Sequence, residues 1–337
     1  MTTKTACFRP LPGLFLTATL LASGHILAAY SVPLSPDVSA LRFGLCLHYG
    51  VDSFARPGEQ GQLPAERFAP VSVNVKAWAR TAKEAGMTYA ILAAKHTSGF
   101  GLWDSADYDY DVGNSPFKGD IIGDFIAACE AEGILPGLNY SIHDIHNEGA
   151  IRPDSPVPPP YYSVIKRHLT ELHTRYRGLR VQRFYGAQRL TVAQWDELSA
   201  LVQRLNPLCV MLDPQREPQH VIATVIKGWW GRPAAPLFPA PEVFKKYLEA
   251  QSLGQGFLLN VGPEPSSRIP DGQLAVLKEV KRLIATTPAQ RPARPADPAT
   301  ARLPVAERLK QLKELHQQGL ISKDDYDRKV KEIMDAL

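Results

Sequence analysis

Four short segments carry most of the side chains that could do chemistry. They are "LHYG" with His48, "AAKHTSGFGLW" with Lys95, His96 and Trp103, "LNYSIHDIH" with Tyr140, His143 and His146, and "QRFYGA" with Arg183 and Tyr185. Each sits at the end of a short apolar run. Imidazole, phenol and indole groups converging on one mouth suit a sugar: the rings stack on its apolar faces and the polar atoms hold its hydroxyls. Imidazoles also bind metals, so His48, His96, His143 and His146 raise metal-assisted hydrolysis as a second chemistry. Metal-dependent barrels usually open with His-x-His on the first strand, and here one His is followed by Tyr49. Neither metal nor cofactor is therefore expected. One such His is usually structural; three at successive strand ends favour a functional site.

These segments need a scaffold that delivers strand ends to one place. Between Leu41 and Ile284 the chain alternates short apolar runs with amphipathic stretches. The runs "RFGLCLHYG", "MTYAILAAKH", "ILPGLNYS", "LRVQRFYG", "LCVMLDP" and "GFLLNVGP" read as strands, and "VNVKAWARTAKEAG", "IIGDFIAACEAEG", "YSVIKRHLTELHTRY", "TVAQWDELSALVQRLN" and "APEVFKKYLEAQS" as helices. Gly86, Gly133 and Gly178 stand where helix C-terminal caps are expected. Repeated strand–helix units imply a parallel sheet. No G-x-G-x-x-G follows the first strand, which argues against a dinucleotide fold. The pattern predicts an α/β fold, a (β/α)8-type barrel with its site at the C-terminal ends of the strands. No strand is assigned between Asp213 and Gly254. Arg183 and Tyr185 share a face because strand side chains alternate.

Composition bounds the rest. The 337 residues are 45% hydrophobic and 21% charged, with net charge +4 spread along the chain, so no nucleic-acid partner is expected. Residues 1–29 read as a signal peptide, with Lys4 and Arg9 before an apolar run and cleavage after Gly24 or Ala29; this predicts export to the periplasm or beyond. Of four cysteines Cys7 goes with the signal, leaving Cys46, Cys129 and Cys209, an odd number of which two lie inside apolar runs, so buried thiols are expected rather than disulfides. The barrel is assigned to 30–286. Residues 287–303 are a Pro/Ala-rich linker. Residues 304–337 form two short amphipathic helices, a hairpin too small to bury its own apolar face and therefore expected to dock or self-associate.

The segments "RFGLCLHYG", "AKEAGMTYAILAAKHTSGFGLWDS", "PFKGDIIGDFIAACEAEGILPGLNYS" and "GFLLNVGPEPSSRIPDGQLAVLKEVKRLI" resemble, in order, the α-L-fucosidases of glycoside hydrolase family 29. The terminal hairpin resembles the short C-terminal (SHOCT) domain. The resemblance implies a retaining mechanism with a carboxylate nucleophile and a carboxyl acid/base, acting on fucosylated glycans. It matches His48 and His96 to histidines holding the fucose hydroxyls, Trp103 and Tyr140 to pocket-wall positions, and Glu59 to a further sugar contact. His143, Arg183 and Trp229 complete the expected binding set.

The same resemblance exposes departures. A family His-His pair is His96-Thr97 here, a family Trp is Gln60, and the family's W-x-D-G at the fourth strand is "RFYG". Arg183 stands for the tryptophan and Tyr185 for the nucleophilic aspartate. Glu217 is the nearest acid/base candidate. Four readings follow. The nucleophile comes from elsewhere, Asp144 or Asp213. Tyr185 itself attacks the anomeric carbon, a phenol being a weak nucleophile unless a cation such as Arg183 favours its ionised form. The protein binds sugar without cleaving it. Or the histidines hold a metal.

Overall fold

The computed structural model describes residues 40–287 apart from 57, 58, 60, 61, 213–219 and 229–234, together with Lys313, Lys323, Tyr326, Asp327 and Val330. The strands are β1 (Phe43–Leu47), β2 (Tyr89–Lys95), β3 (Leu135–Ser141), β4 (Val181–Tyr185), β5 (Val210–Leu212), β6 (His220–Thr224) and β7 (Gly256–Val261). The helices are α1 (Val75–Glu84), α2 (Ile121–Glu132), the single turn α3 (Ile145–Glu148), α4 (Pro159–Arg175), α5 (Val192–Leu205), α6 (Ala240–Ser252) and α7 (Asp271–Thr286).

All strand pairs are parallel, in the order β5-β4-β3-β2-β1-β7-β6. Apart from β5 and β6, which form the two edges, strands consecutive in the chain are neighbours in the sheet, and β1 joins the two ends of the sequence by pairing with both β2 and β7. Right-handed crossovers that never reverse direction put every helix on the same face, which is the (β/α)8-type arrangement and not the doubly wound one. The six expected strands are present. β6 is an addition, lying in the stretch to which the sequence assigned none.

Local chemistry starts the helices where the pattern predicts. Asn74, Asp120, Asp144 and Thr191 each accept a bond from the amide three residues on, and Thr191 with Gln194 completes a capping box. Gly133 closes α2 at φ 68°, as expected. Gly178 does not cap α4, which ends at Arg175 with Tyr176 as its cap. Its role is close approach: a Cβ there would lie 2.6 Å from Cγ2 of Ile126 on α2.

Two apolar clusters divide at the sheet. The larger fills the space between helices and strands and includes Trp78, Phe125, Leu138, Tyr140 and Leu169; the smaller lies on the opposite, inner face and comprises Leu41, Cys46, Tyr89, Ile91, Val181, Leu212 and Leu258. Cys46, Cys129 and Cys209 are buried and unbridged. Register shifts between Ala93 and Lys95, so that Ala93 pairs with Asn139 but Lys95 with Tyr140. This bulge turns Lys95 to the outer, helix-facing side. The expected signal peptide and nearly all of the linker and hairpin lie outside the described residues. No helix among the described residues is long and apolar enough to cross a membrane.

Candidate active site

Four of the expected residues meet at the C-terminal ends of consecutive strands. His48 follows β1 and its amide bonds the Val261 carbonyl at 3.0 Å. His96 follows β2, His143 follows β3, and Tyr185 is the last residue of β4. The Tyr185 ring lies nearly parallel to His96, centroids 6.1 Å apart at 14°, and His143 meets it edge-on at 5.4 Å. His48 and His96 are in turn edge-to-face at 5.1 Å. The result is a continuous row, His48–His96–Tyr185–His143. Tyr185 is 43% exposed while His48 and His143 are buried, so the phenol is the row's open member. Gly186 makes the packing feasible: its φ is 82°, and a Cβ there would fall 2.6 Å from Cδ2 of His143.

Arg183, on the same face as Tyr185, is buried and donates from Nη1 to Oδ1 of Asn139, its register partner on β3. Burial, then the Arg183 charge, pushes His48 down to about 4. His96 is held well below its ordinary value by burial and by the charges of His48, Arg183 and Lys95. Burial also lowers His143, with Arg189 and Lys95 acting the same way and Glu148 opposing. All three imidazoles are thus neutral near pH 7, and each offers one donor and one acceptor, the pairing a sugar hydroxyl needs.

Other expected residues go elsewhere. Tyr140 and Trp103, matched to the pocket wall, face outward: Tyr140 OH pairs with Nδ1 of His168 on α4 at 2.8 Å, and the Trp103 indole donates to Glu171 at 2.9 Å while packing edge-on to His168. The cause is strand alternation, which puts Leu138 and Tyr140 on the helix side when Asn139 faces in. Glu59 is gripped by Arg67 at 3.0 and 3.1 Å and by the Arg56 amide at 2.7 Å, which hold its carboxyl down near 2. His146 stacks on Tyr110 at 4.6 Å and meets Gln62, apart from the row. Among the described residues no group of three or more His, Cys, Asp or Glu could hold a metal ion. Glu217, Trp229, Asp213 and Gln60 lie outside the described residues.

Asp144 is sealed in the outer layer. Its carboxylate takes the Lys95 ammonium at 2.5 Å with both side chains fully buried, and it also accepts from Tyr161, from the Asn147 side chain and from the Asn147 amide that begins α3. It caps the loop; it does not face the mouth. Burial alone would raise this carboxyl, but Lys95 and Asn147 outweigh it and hold it below the usual range. A second buried pair stands at the other end of α3, where Arg189 grips Glu148 through both Nη atoms at 2.6 and 2.5 Å and donates Nε to the Ser155 carbonyl at 2.7 Å. Asn139, Glu148 and Arg189 were missed from sequence. Only the alternation of "GLNYS" pointed to Asn139.

Comparison with known proteins agrees with this architecture. The α-L-fucosidase family profile matches residues 62–213, and the short C-terminal domain profile matches residues 307–334. An α-L-fucosidase 1 of Arabidopsis thaliana is 22% identical over 322 residues, covering 77% of this chain and 63% of that protein. A protein of Oryza sativa subsp. japonica, named for the same activity, is 39% identical over 137 residues, covering 39% of this chain and 25% of that one. The chain therefore spans less than two thirds of the curated relatives it matches. Among solved structures, a family 29 α-L-fucosidase of Bacteroides thetaiotaomicron superimposes with TM-score 0.63 at 20% identity, covering 73% of this chain and 72% of that one. An unliganded α-L-fucosidase of Lactobacillus casei does so at 0.63 and 22%, covering 73% and 96%. Residues 62–213 thus match the α-L-fucosidase family profile, and the domain around that segment has the fold of the solved fucosidases.

Proposed function

We propose that the mouth formed by His48, His96, Tyr185 and His143 binds a sugar of the fucosylated-glycan class and that its hydrolysis of α-L-fucosides is very weak. One observation carries this reading: Tyr185 ends β4, where the family resemblance calls for the nucleophilic aspartate, and sits between two neutral imidazoles. Loss of a covalent nucleophile costs orders of magnitude in rate but need not remove ground-state affinity. Asp144 offers no replacement, because Lys95 holds it on the far side of the sheet.

The test pairs two measurements, hydrolysis of an aryl α-L-fucoside by the native protein and by Tyr185→Asp. An inert native protein and an active variant support a binder descended from a fucosidase. Native turnover that Tyr185→Asp abolishes overturns the reading and makes Tyr185, or a rearranged site, catalytic. We further propose that residues 1–29 direct export, that the barrel ends near residue 286, and that the hairpin 304–337 docks or self-associates through Leu309, Leu312, Leu315, Tyr326, Val330 and Ile333. Mass spectrometry of the exported protein checks the first. Light scattering with and without the hairpin checks the last.

A further inference from the structure

The one-turn helix α3 carries a buried ion pair at each end, Lys95–Asp144 at its start and Arg189–Glu148 at its last residue. Side-chain exposure is zero for Lys95, Asp144 and Arg189 and 4% for Glu148. Four residues of helix do not need two such pairs for stability, since buried ion pairs are often no better than apolar side chains of the same volume. What these pairs fix is geometry. Arg189 lies three residues beyond Gly186, in the turn that leaves β4, and besides Glu148 it reaches the carbonyls of Ser155 and Ile142. It therefore ties the exit of β4, where Tyr185 stands, to the exit of β3, where His143 stands. Ser141 Oγ holds the His143 backbone carbonyl at 2.7 Å, whereas the imidazole Nδ1 is buried and without a hydrogen-bond partner.

We propose that Arg189 and Glu148 are positioning residues for the mouth: their forked pair clamps α3 to the β4 turn and so holds His143 edge-on to Tyr185, ready to meet a sugar hydroxyl. The sugar-binding part of this statement rests on the proposed function; the clamp does not. The groups facing His143 are Tyr185 from β4, Arg189 from the following turn, Glu148 from α3 and Lys95 from β2, the last neutralised by Asp144. The Arg189 and Glu148 charges act on the imidazole with opposite signs.

That opposition supplies a readout which general loosening would not produce. The full chain with labelled histidine is titrated by NMR in native form and as Arg189→Gln, Glu148→Gln and Arg189→Lys, with His143→Gln assigning the signal. Removing the cation is expected to raise the His143 titration, and removing the anion to lower it. Arg189→Lys keeps the charge but not the fork. It should leave the titration near native while the ring-current shift from Tyr185 collapses. If both Gln variants fold and move the titration the same way, or not at all, the proposal is overturned. Should Arg189→Gln not fold, Glu148→Gln, which retains an amide oxygen for Arg189, decides alone: a titration that fails to fall sinks the clamp. L-fucose is then added to native protein and to Arg189→Lys. A saturable response with equal affinity in both overturns the clamp's role in recognition and leaves sugar binding standing. Absence of any response in native protein, with the titrations moving in opposite directions, refutes the sugar reading and leaves the clamp intact.

Discussion

Asp144→Asn separates two roles that the sequence left open for this residue, nucleophile or cap. The new amide keeps a side-chain oxygen for the Asn147 N–H, so the start of α3 survives. What is lost is the anion beside Lys95, whose ammonium retains the Tyr161 hydroxyl at 3.0 Å and the Tyr140 ring face at 4.5 Å. Breaking a buried pair this way costs roughly 3–5 kcal/mol, against at most about 1 kcal/mol for an exposed one. Both partners are fully buried here, so the larger figure applies. At about 2–4 °C per kcal/mol for a domain of this size, Tm should fall by roughly 6–20 °C. Combining it with Lys95→Met should recover most of the loss, because no lone buried charge remains. Circular dichroism melts at pH 7 measure both, and an aryl-fucoside assay at 25 °C, normalised to folded protein, should show no specific change. Since the folded carboxyl is held below its ordinary value, the pair's stabilisation is present above pH about 4 and lost as the pH drops below that. A Tm within about 2 °C of native, or abolition of turnover in well-folded Asp144→Asn, would refute the reasoning.

Gly186→Ala should cost about 1–3 kcal/mol and drive His143 off Tyr185, since it combines a positive φ with a Cβ inside the imidazole's space; a chemical melt and the His143 ring-current shift read the two effects. Stability should decline as pH falls from about 6.5 toward 4. His48, His168 and His173 are pushed by burial to about 4, 3 and 4, and burial lowers His96, His143 and His220 as well, so the unfolded chain takes up protons first; Asp52, raised by burial to about 6, and Asp111, also raised by burial, oppose them as two groups against six. A Tm that is flat over that range would contradict the buried neutral imidazoles. The thiol of Cys46 is pushed up to about 11 by burial, and Cys129 and Cys209 are raised still further. None of the three should react with iodoacetamide at pH 8 until the protein is denatured; rapid native labelling would show an opening near β1.

The strand–helix alternation was legible because each unit is local: apolar runs of strand length, helical stretches with polar caps, and glycine at the close of α2. β6 was not, because "HVIAT" is five residues long and four of them are only partly buried, leaving little periodicity to read. Strand ends named His48, His96, Tyr185 and His143, but they named Lys95 and Tyr140 equally, and the stacking of the four rings came only with the fold. Tyr140 was placed at the mouth by its strand-end position as well as by the resemblance, although alternation sets it opposite to Asn139; Trp103 lies on the loop after β2, where alternation gives no guide. Glu59 was assigned to the sugar although Arg67, eight residues on, was available to take its carboxylate. Arg189 and Glu148 could not have been found: they lie 41 residues apart, and only the folded β4 turn brings the fork to its carboxylate.

The division of β3 and β4 by parity has an evolutionary meaning. Asn139, Arg183 and Tyr185 look inward, whereas Tyr140 and Phe184, in contact with each other, look out toward α4 and α5 beside Lys95. The proposed recognition surface and the structural support thus fall on alternate letters of the same two strands. Substitutions with no shared partners tend to combine additively. Drift at the odd-numbered positions can therefore rewrite what the mouth accepts, even exchanging an aspartate for a tyrosine, while the even-numbered positions keep the scaffold folded. A library restricted to Asn139, Arg183 and Tyr185 would search ligand space without drawing on the stability held by the outer face.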